Sequence, residues 1–336
     1  MIGILFTGGT ISMTVDESGA VVPALGWREI VARVPELGVI ADVECEDFSR
    51  LPGPHVTPEQ MWRLARRAAA WLERPDVDGL VVTHGTDTLE ETAFFLHLVL
   101  TSDKPVVLLG AMHPSSDPDW DGPTNLRAAL RVAASPGAGA RGALIVMGGT
   151  ILSAAEARKL HSAKPAAFGA PGKGPVGVVE NGHVRFLRSG TARPTWQAAG
   201  AEAGLRVPRI DPRVDLVSAA AGADDRFVRC ALTSGARGLT VEAFGNGNVP
   251  PGLRAGIRAA LQAGIPVLVA TRAVAGGVSP RYGYEGGGRD LLSLGAMMAG
   301  PLSALKARVL LMVALGAADA IPVARVVAEA TGAAPA

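Results

Sequence analysis

The sequence predicts an α/β protein built from two α/β domains with mainly parallel sheets, a larger N-terminal one and a smaller C-terminal one. Short β-rich apolar runs alternate with helical patterns, which is how consecutive βαβ units read. The first such series fades near residue 188 and a second starts at Val214. A chain of 336 residues with 48% hydrophobic content fits two cores better than one.

The expected strands of the first series are Ile2–Phe6, Ile40–Glu44, Leu80–Thr83, Val106–Leu109 and Ala143–Met147. Between them, Thr57-Pro58-Glu59-Gln60 has the form of an N-cap followed by proline in the first turn. Met61, Leu64, Ala65, Ala68 and Leu72 then recur at helical spacing, and Leu89 to Leu100 forms a second helical stretch. Glu180-Asn181-Gly182 between two apolar runs marks a hairpin. Periodicity is lost from Arg188 to Pro208, so the domains are placed at 1–188 and 211–336 with a linker at 189–210. The second domain shows strands at Val214–Val217, Leu239–Phe244 and Pro266–Ala270, a helix at Leu253–Ala263, and helices around Leu302–Leu315 and Ile321–Ala330.

Charge and composition exclude several function classes. The 32 basic and 31 acidic residues nearly cancel, which leaves no electrostatic case for nucleic acid or an anionic membrane. Cys45 and Cys230 are too few and too far apart for a disulfide framework or a zinc site, and the six histidines show no metal-ligand spacing. No apolar stretch reaches the ~20 residues of a membrane span. The chain runs into its first strand without a basic leader, so a cytoplasmic protein is expected.

Two turns carry the chemistry. Thr7-Gly8-Gly9-Thr10-Ile11 follows the first strand, and His84-Gly85-Thr86-Asp87-Thr88 follows the third. Ligands of open α/β sheets bind at the carboxyl ends of strands, which puts two hydroxyls, several glycines and a carboxylate at the rim of one cleft. A threonine is a nucleophile if something takes its proton, although a single threonine in a turn more often bonds its own backbone. His84, inside a tight turn, reads as a backbone-bonded group, and Lys159 as a solvated residue. Leu144 to Ile151 echoes Ile4 to Ile11, with Met147 in place of Thr7. Gly137-Ala138-Gly139-Ala140-Arg141-Gly142 has the letters of a dinucleotide fingerprint but precedes a strand instead of following one, so it is dismissed.

These paired turns resemble the two signatures of bacterial-type L-asparaginases (the asparaginase/glutaminase family), most closely the cytoplasmic type. The resemblance continues through Gly110 to Ser115, Asp121 to Leu126, Ala157-Arg158-Lys159 with Phe168 to Pro171, Gly245 to Asn248, and Lys306 to Val309. It implies an amidohydrolase that forms an acyl-enzyme on Thr7. Thr86, Asp87 and Lys159 would assist proton transfer, and Asp87 would also meet the substrate α-ammonium group. Backbone N–H groups near Gly8 and Thr86 would stabilise the oxyanion, with Gly85 in the same turn. Asn248 would reach a neighbouring subunit's site, implying a homodimer or homotetramer with shared active sites. The resemblance implies an amino-acid amide as substrate and no metal or organic cofactor.

This chain departs from the family pattern in three places. The family's tyrosine in the loop after the first signature is missing from Ser12 to Pro23, and only Tyr282 and Tyr284 occur in the whole chain. The family's carboxylate-binding serine segment is replaced by Gly53-Pro54-His55. The second-domain glutamate that helps bind the α-ammonium group in some members has no clear match here, and Glu285 is the candidate for its place. Asparagine hydrolysis is the expected activity. The alternatives are an amidase on glutamine or another amide, or a non-catalytic amino-acid-binding relative. The related amidotransferase subunit normally carries an extra N-terminal domain, which is not found here.

Overall fold

The computed structural model describes residues 1–332 apart from Ala140. Ala140 of the dismissed glycine stretch and residues 333–336 of the second expected domain lie outside the described residues. The chain divides into two compact units, one of Met1–Arg193 with Ala203–Leu205, the other of Pro194–Glu202 with Arg206–Ala336. The 189–210 stretch is therefore shared between both units.

The first unit is organised on an eight-stranded sheet. Its strands are β1 (Ile2–Gly8), β2 (Val43–Leu51), β3 (Gly79–Thr83), β4 (Val106–Leu109), β5 (Ala143–Met147), β6 (Thr150–Ser153), β7 (Gly177–Glu180) and β8 (His183–Phe186). Their order is β8-β7-β6-β5-β4-β3-β1-β2. The five strands from β2 to β5 pair in parallel, and the remaining three continue antiparallel. The chain passes from β1 outward to β2 and then returns to β3 on the other side of β1. A topological switch point therefore lies between the carboxyl ends of β1 and β3. Both threonine turns emerge there.

Burial explains which strands the apolar pattern reveals. β1, β3, β4 and β5 are buried along their full length, as central parallel strands covered on both faces must be. β2 is the exception. A strand at Ile40–Glu44 was expected, but Leu37–Ile40 forms a short helical turn and the strand runs Val43–Leu51. As an edge strand it alternates apolar residues with charged ones. Glu46 receives a bidentate Arg67 and the Trp71 indole N–H, and Glu44 binds Arg74. Such exposed ion pairs add little stability, but charged groups on an edge discourage pairing with foreign strands.

The helices of this unit include α1 (Pro58–Glu73), α2 (Leu89–Val99) and α3 (Gly122–Ala133). Thr57 caps α1, its hydroxyl accepting from Gln60 N–H at 3.3 Å, and the stripe from Met61 to Leu72 faces the core. The echo of the first turn has a different structure. Gly148 and Gly149, with φ of 55° and 72°, close a tight hairpin from β5 to β6. The Asn181-Gly182 hairpin joins β7 to β8 with positive φ at both residues, as a primed turn requires.

The second unit has a four-stranded, fully parallel sheet of β9 (Val214–Ser218), β10 (Gly238–Ala243), β11 (Val267–Thr271) and β12 (Met297–Met298). Val228, Val241, Leu253, Ile257, Val269 and Leu291 anchor its core. Its longer helices are Arg226–Thr233, Pro251–Gln262, Ala304–Gly316 and Val323–Thr331. Among the described residues, no helix is long and apolar enough to cross a membrane.

One glycine fixes how the two threonine turns meet. Gly9 has φ 83° and ψ −179°, a combination essentially restricted to glycine. A Cβ placed there would lie 2.4 Å from Gly85 N and 2.5 Å from Gly85 Cα. Gly9→Ala is expected to lower the unfolding free energy by about 2 kcal/mol or more, read from denaturant titration. An unchanged denaturation midpoint would contradict this packing.

Candidate active site

Thr7 is the penultimate residue of β1 and is locked to both flanking strands. Its hydroxyl donates to the Thr83 carbonyl at 2.6 Å, and its N–H lies 3.3 Å from Thr83 Oγ1. Ser49 of β2 donates its hydroxyl to the Thr7 carbonyl at 2.7 Å. The side chain of Thr7 is buried. Neither Thr83 nor Ser49 stands out in the sequence, because both contacts depend on strand register. Gly8 has φ 106° and lies against Leu51, where a Cβ would come within 2.5 Å of the carbonyl oxygen. Gly9 N–H donates to that same Leu51 carbonyl at 3.0 Å.

The second turn begins as β3 ends. His84 N–H donates to Leu109 of β4 at 2.8 Å, extending the ladder by one residue. Gly85 then packs on the short 3₁₀ turn Gly53–His55, since a Cβ on Gly85 would be 2.5 Å from Gly53 Cα. Thr88 seals that contact by donating its hydroxyl to the Gly53 carbonyl at 2.8 Å. Gly53 is therefore buried in the wall of the site, while Pro54 and His55 are exposed. The His84 side chain is only 1% exposed, and its Nδ1 lies 2.9 Å from the Gly85 carbonyl. Burial drives its pKa down to about 4, partly opposed by that hydrogen bond, so the ring is neutral near pH 7.

Lys159 is not a solvated surface residue. It lies on a two-residue strand, Arg158–Lys159, held antiparallel to Phe168–Gly169. Its ammonium group donates to Thr86 Oγ1 at 2.9 Å and to Asp87 Oδ1 at 2.6 Å. Its backbone N–H is anchored on Glu90 Oε2 at 3.1 Å. The lysine side chain is 19% exposed and that of Asp87 57%. A cation, a hydroxyl and a carboxylate open to solvent thus converge beside the switch point. The Thr86 N–H has no acceptor among the described residues.

Two residues known only through the resemblance organise the neighbouring loop. Asp121 accepts the N–H groups of Met112 and His113 at 2.9 and 3.0 Å. Asn125 donates to the Gly110 carbonyl and accepts from Gly148 N–H, both at 3.0 Å. Met147, the echo's counterpart of Thr7, is 3.2 Å through its sulfur from Gly110 N–H. The segment without the family tyrosine is a hairpin of Met13–Val15 and Val21–Pro23. It is tied to the same region by Ser115 N–H on the Met13 carbonyl (2.7 Å) and Val15 N–H on Ser116 Oγ (2.9 Å).

The remaining expected site residues belong to the second unit. Asn248 accepts from Gly288 N–H through its side chain at 3.1 Å. Tyr284 is exposed, its ring centroid 5.6 Å from that of Tyr282. Glu285 lies 3.8 Å from Arg254, which makes its shorter contacts to Asp290. The structure thus brings Thr86, Asp87 and Lys159 into direct contact and joins the Thr7 turn to theirs through Gly9 and Gly85. Asn248, Tyr284 and Glu285 are described only within their own unit. No group of three or more His, Cys, Asp or Glu that could hold a metal occurs among the described residues.

Burying neutral His84 has a consequence for acid stability. Its folded pKa lies below the ordinary value of 6.5, so between pH 6.5 and 4 the unfolded chain takes up a proton that the folded one refuses. Stability linked to this group is fully present above pH 6.5 and declines as pH falls toward 4, by roughly 3 kcal/mol in total. Unfolding free energies measured across this range should fall less steeply for His84→Asn than for the wild type. Identical slopes would contradict a neutral, buried imidazole.

The chain matches two family descriptions in sequence. "Asparaginase, N-terminal" matches residues 1–191, and "Glutaminase/Asparaginase C-terminal domain" matches residues 213–325. A probable L-asparaginase of Deinococcus radiodurans is 39% identical, covering 94% of this chain and 92% of that protein. A glutaminase-asparaginase of Pseudomonas fluorescens is 32% identical over 93% of this chain and 85% of its own length. The crystal structure of a probable cytoplasmic L-asparaginase from Campylobacter jejuni superposes with a TM-score of 0.82 at 32% identity, covering 94% of each chain. With both halves matched and the parallel sheets in place, this chain belongs to the asparaginase/glutaminase family.

Proposed function

We propose that this protein is a cytoplasmic L-asparaginase, hydrolysing the side-chain amide of asparagine to aspartate and ammonia through an acyl-enzyme on Thr7. The carrying observation is the contact of Lys159 with Thr86 and Asp87 at 2.9 and 2.6 Å, made across more than seventy residues of sequence beside the turn that bears Thr7. These contacts hold a largely enclosed lysine against both a hydroxyl and a carboxylate. Family membership and the strand-end position of both turns support the same reading.

In the proposed reaction Thr7 Oγ attacks the amide carbon, and its proton passes through the set of Thr86, Lys159 and Asp87 to the leaving nitrogen. Ammonia departs and a β-aspartyl ester remains on Thr7. Water, activated by the same set, attacks the ester, releases aspartate and restores the hydroxyl. Asp87, the exposed carboxylate, receives the substrate α-ammonium group as a charge-assisted hydrogen bond. Gly8, Gly53 and Gly85 let the backbone approach the substrate closely, and Pro54 and His55 occupy the place of the family's serine segment.

The active oligomer is proposed to be a homodimer or homotetramer in which Asn248, Tyr284 and Glu285 serve a neighbouring subunit's site. Either Tyr282 or Tyr284 then takes over the duty of the missing loop tyrosine. Light scattering of the purified protein at a monomer mass would overturn this assembly. Normal turnover in both Tyr282→Phe and Tyr284→Phe would overturn the tyrosine assignment.

Activity is tested by ammonia release from asparagine, glutamine and their D-isomers, with asparagine expected to be turned over fastest. Because one relative is a glutaminase-asparaginase, slower release from glutamine is also expected. No release from any amide, together with measurable amino-acid binding, would favour a binding protein and end the enzyme reading. Thr7→Ala should reduce kcat by several orders of magnitude, as loss of a nucleophile does, while the far-ultraviolet circular dichroism stays unchanged. Retained activity in Thr7→Ala with loss in Thr86→Ala would reassign the nucleophile.

A further inference from the structure

The buried imidazole of His84 has no task in the chemistry just described, yet it lies one residue from the Gly85–Thr86 peptide. Its backbone cannot shift freely. The N–H is bound to Leu109, and a Cβ on Gly110 would come within 2.7 Å of the His84 carbonyl oxygen. Its ring reaches forward to the Gly85 carbonyl at 2.9 Å. A carbonyl oxygen only accepts hydrogen bonds, so Nδ1 must carry the proton. In a neutral ring this leaves Nε2 bare, which fixes the tautomer.

The Gly85 carbonyl and the Thr86 N–H belong to one peptide group, and no cis peptide occurs among the described residues. In a trans peptide the two groups point in opposite directions. Holding the carbonyl on the imidazole therefore aims the Thr86 N–H away from it. Three neighbouring backbone donors of the two turns are engaged: Gly9 N–H on Leu51, His84 N–H on Leu109, and Thr7 N–H near Thr83 Oγ1. The Thr86 N–H, on a buried residue, is left without a protein acceptor among the described residues. A buried backbone donor is seldom left unpaired, so this N–H is free to meet water or a ligand.

We propose that His84 is a positioning residue for the amidase reaction. Its Nδ1–H orients the Gly85–Thr86 peptide so that the Thr86 N–H meets the oxyanion formed from the substrate amide. The inference rests on the reading of this site as an amidase. An oxyanion donor acts in the transition state more than in the ground state, so losing its alignment should lower kcat and leave substrate binding nearly intact.

The experiment compares His84→Leu, His84→Asn and His84→Gln for turnover of asparagine, L-aspartate affinity and thermal stability. His84→Leu lacks the donor, and its kcat is expected to fall roughly 100-fold, the usual loss for one oxyanion donor, with KM and aspartate affinity little changed. Asparagine at this position places its amide N–H close to where Nδ1 sits and should restore most of kcat. Glutamine carries its donor one bond further and should not. If His84→Leu fails to fold, the contrast between the Asn and Gln variants decides the matter. Equal kcat in those two, a rise in KM alone, or reduced stability with kcat intact would each overturn the positioning role. A wild-type protein inactive on every amide would overturn both this inference and the amidase reading. An active wild type with a fully active His84→Leu would overturn the inference alone.

Discussion

The site depends on backbone meeting backbone at three glycines. Gly9 lies against Gly85, and Gly85 lies against Gly53, each so close that a Cβ would fall about 2.5 Å from a main-chain atom. The turns after β1 and β3 and the segment after β2 are thereby fused into one wall. No side chain separates them, so the wall has no rotamers through which it could relax. Thr7 and the Thr86-Asp87 pair keep their relation because the peptides that carry them cannot slide past one another. The sheet order supports this arrangement, because the reversal of direction between β1 and β3 opens a crevice where the turns emerge.

Side chains then divide the labour on that rigid base. The Thr7 hydroxyl donates a hydrogen bond to the Thr83 carbonyl in the free protein, leaving its oxygen lone pairs for other partners. Thr86 instead accepts from Lys159, which also binds Asp87. The two threonines are thus chemically unlike in the folded protein even though their turns look alike in sequence. The carboxylate is the most open member of the group, suited to receive a cation from solvent, while the lysine is largely enclosed. The neutral imidazole of His84 adds a hydrogen-bond donor with no charge, so it orients a peptide without competing electrostatically with Lys159 or Asp87.

Most of the fold was legible because central parallel strands are buried on both faces. β1, β3, β4 and β5 therefore read as apolar runs, and so does β11 of the second unit, whereas the two-residue β12 carries no such signal. β2 was misplaced for the opposite reason. As an edge strand it carries Glu44 and Glu46, whose partners are Arg67 on α1 and Arg74 just past its end, so its hydrophobic signal is too weak to set its start. Thr7, Thr86 and Asp87 stood out as residues at strand ends, whereas Lys159 looked like an ordinary surface lysine, since its burial is created by a two-residue strand with no pattern of its own. Thr83, Ser49, Asp121 and Asn125 were not legible as supports, because each acts through register or long-range packing. His84 was read as bonded to the turn backbone, which it is. The consequence for the Thr86 N–H became visible only when the acceptors of the neighbouring donors were known.

In the proposed reaction the fused turns present Thr7, and not Thr86, to the substrate. Acid-quenching the wild-type protein during asparagine turnover and sequencing its peptides by mass spectrometry tests that claim most directly. An aspartyl ester is expected on the peptide that carries Thr7, localised to that residue. An ester on Thr86, or turnover with no covalent adduct in a variant slowed at deacylation, would contradict it.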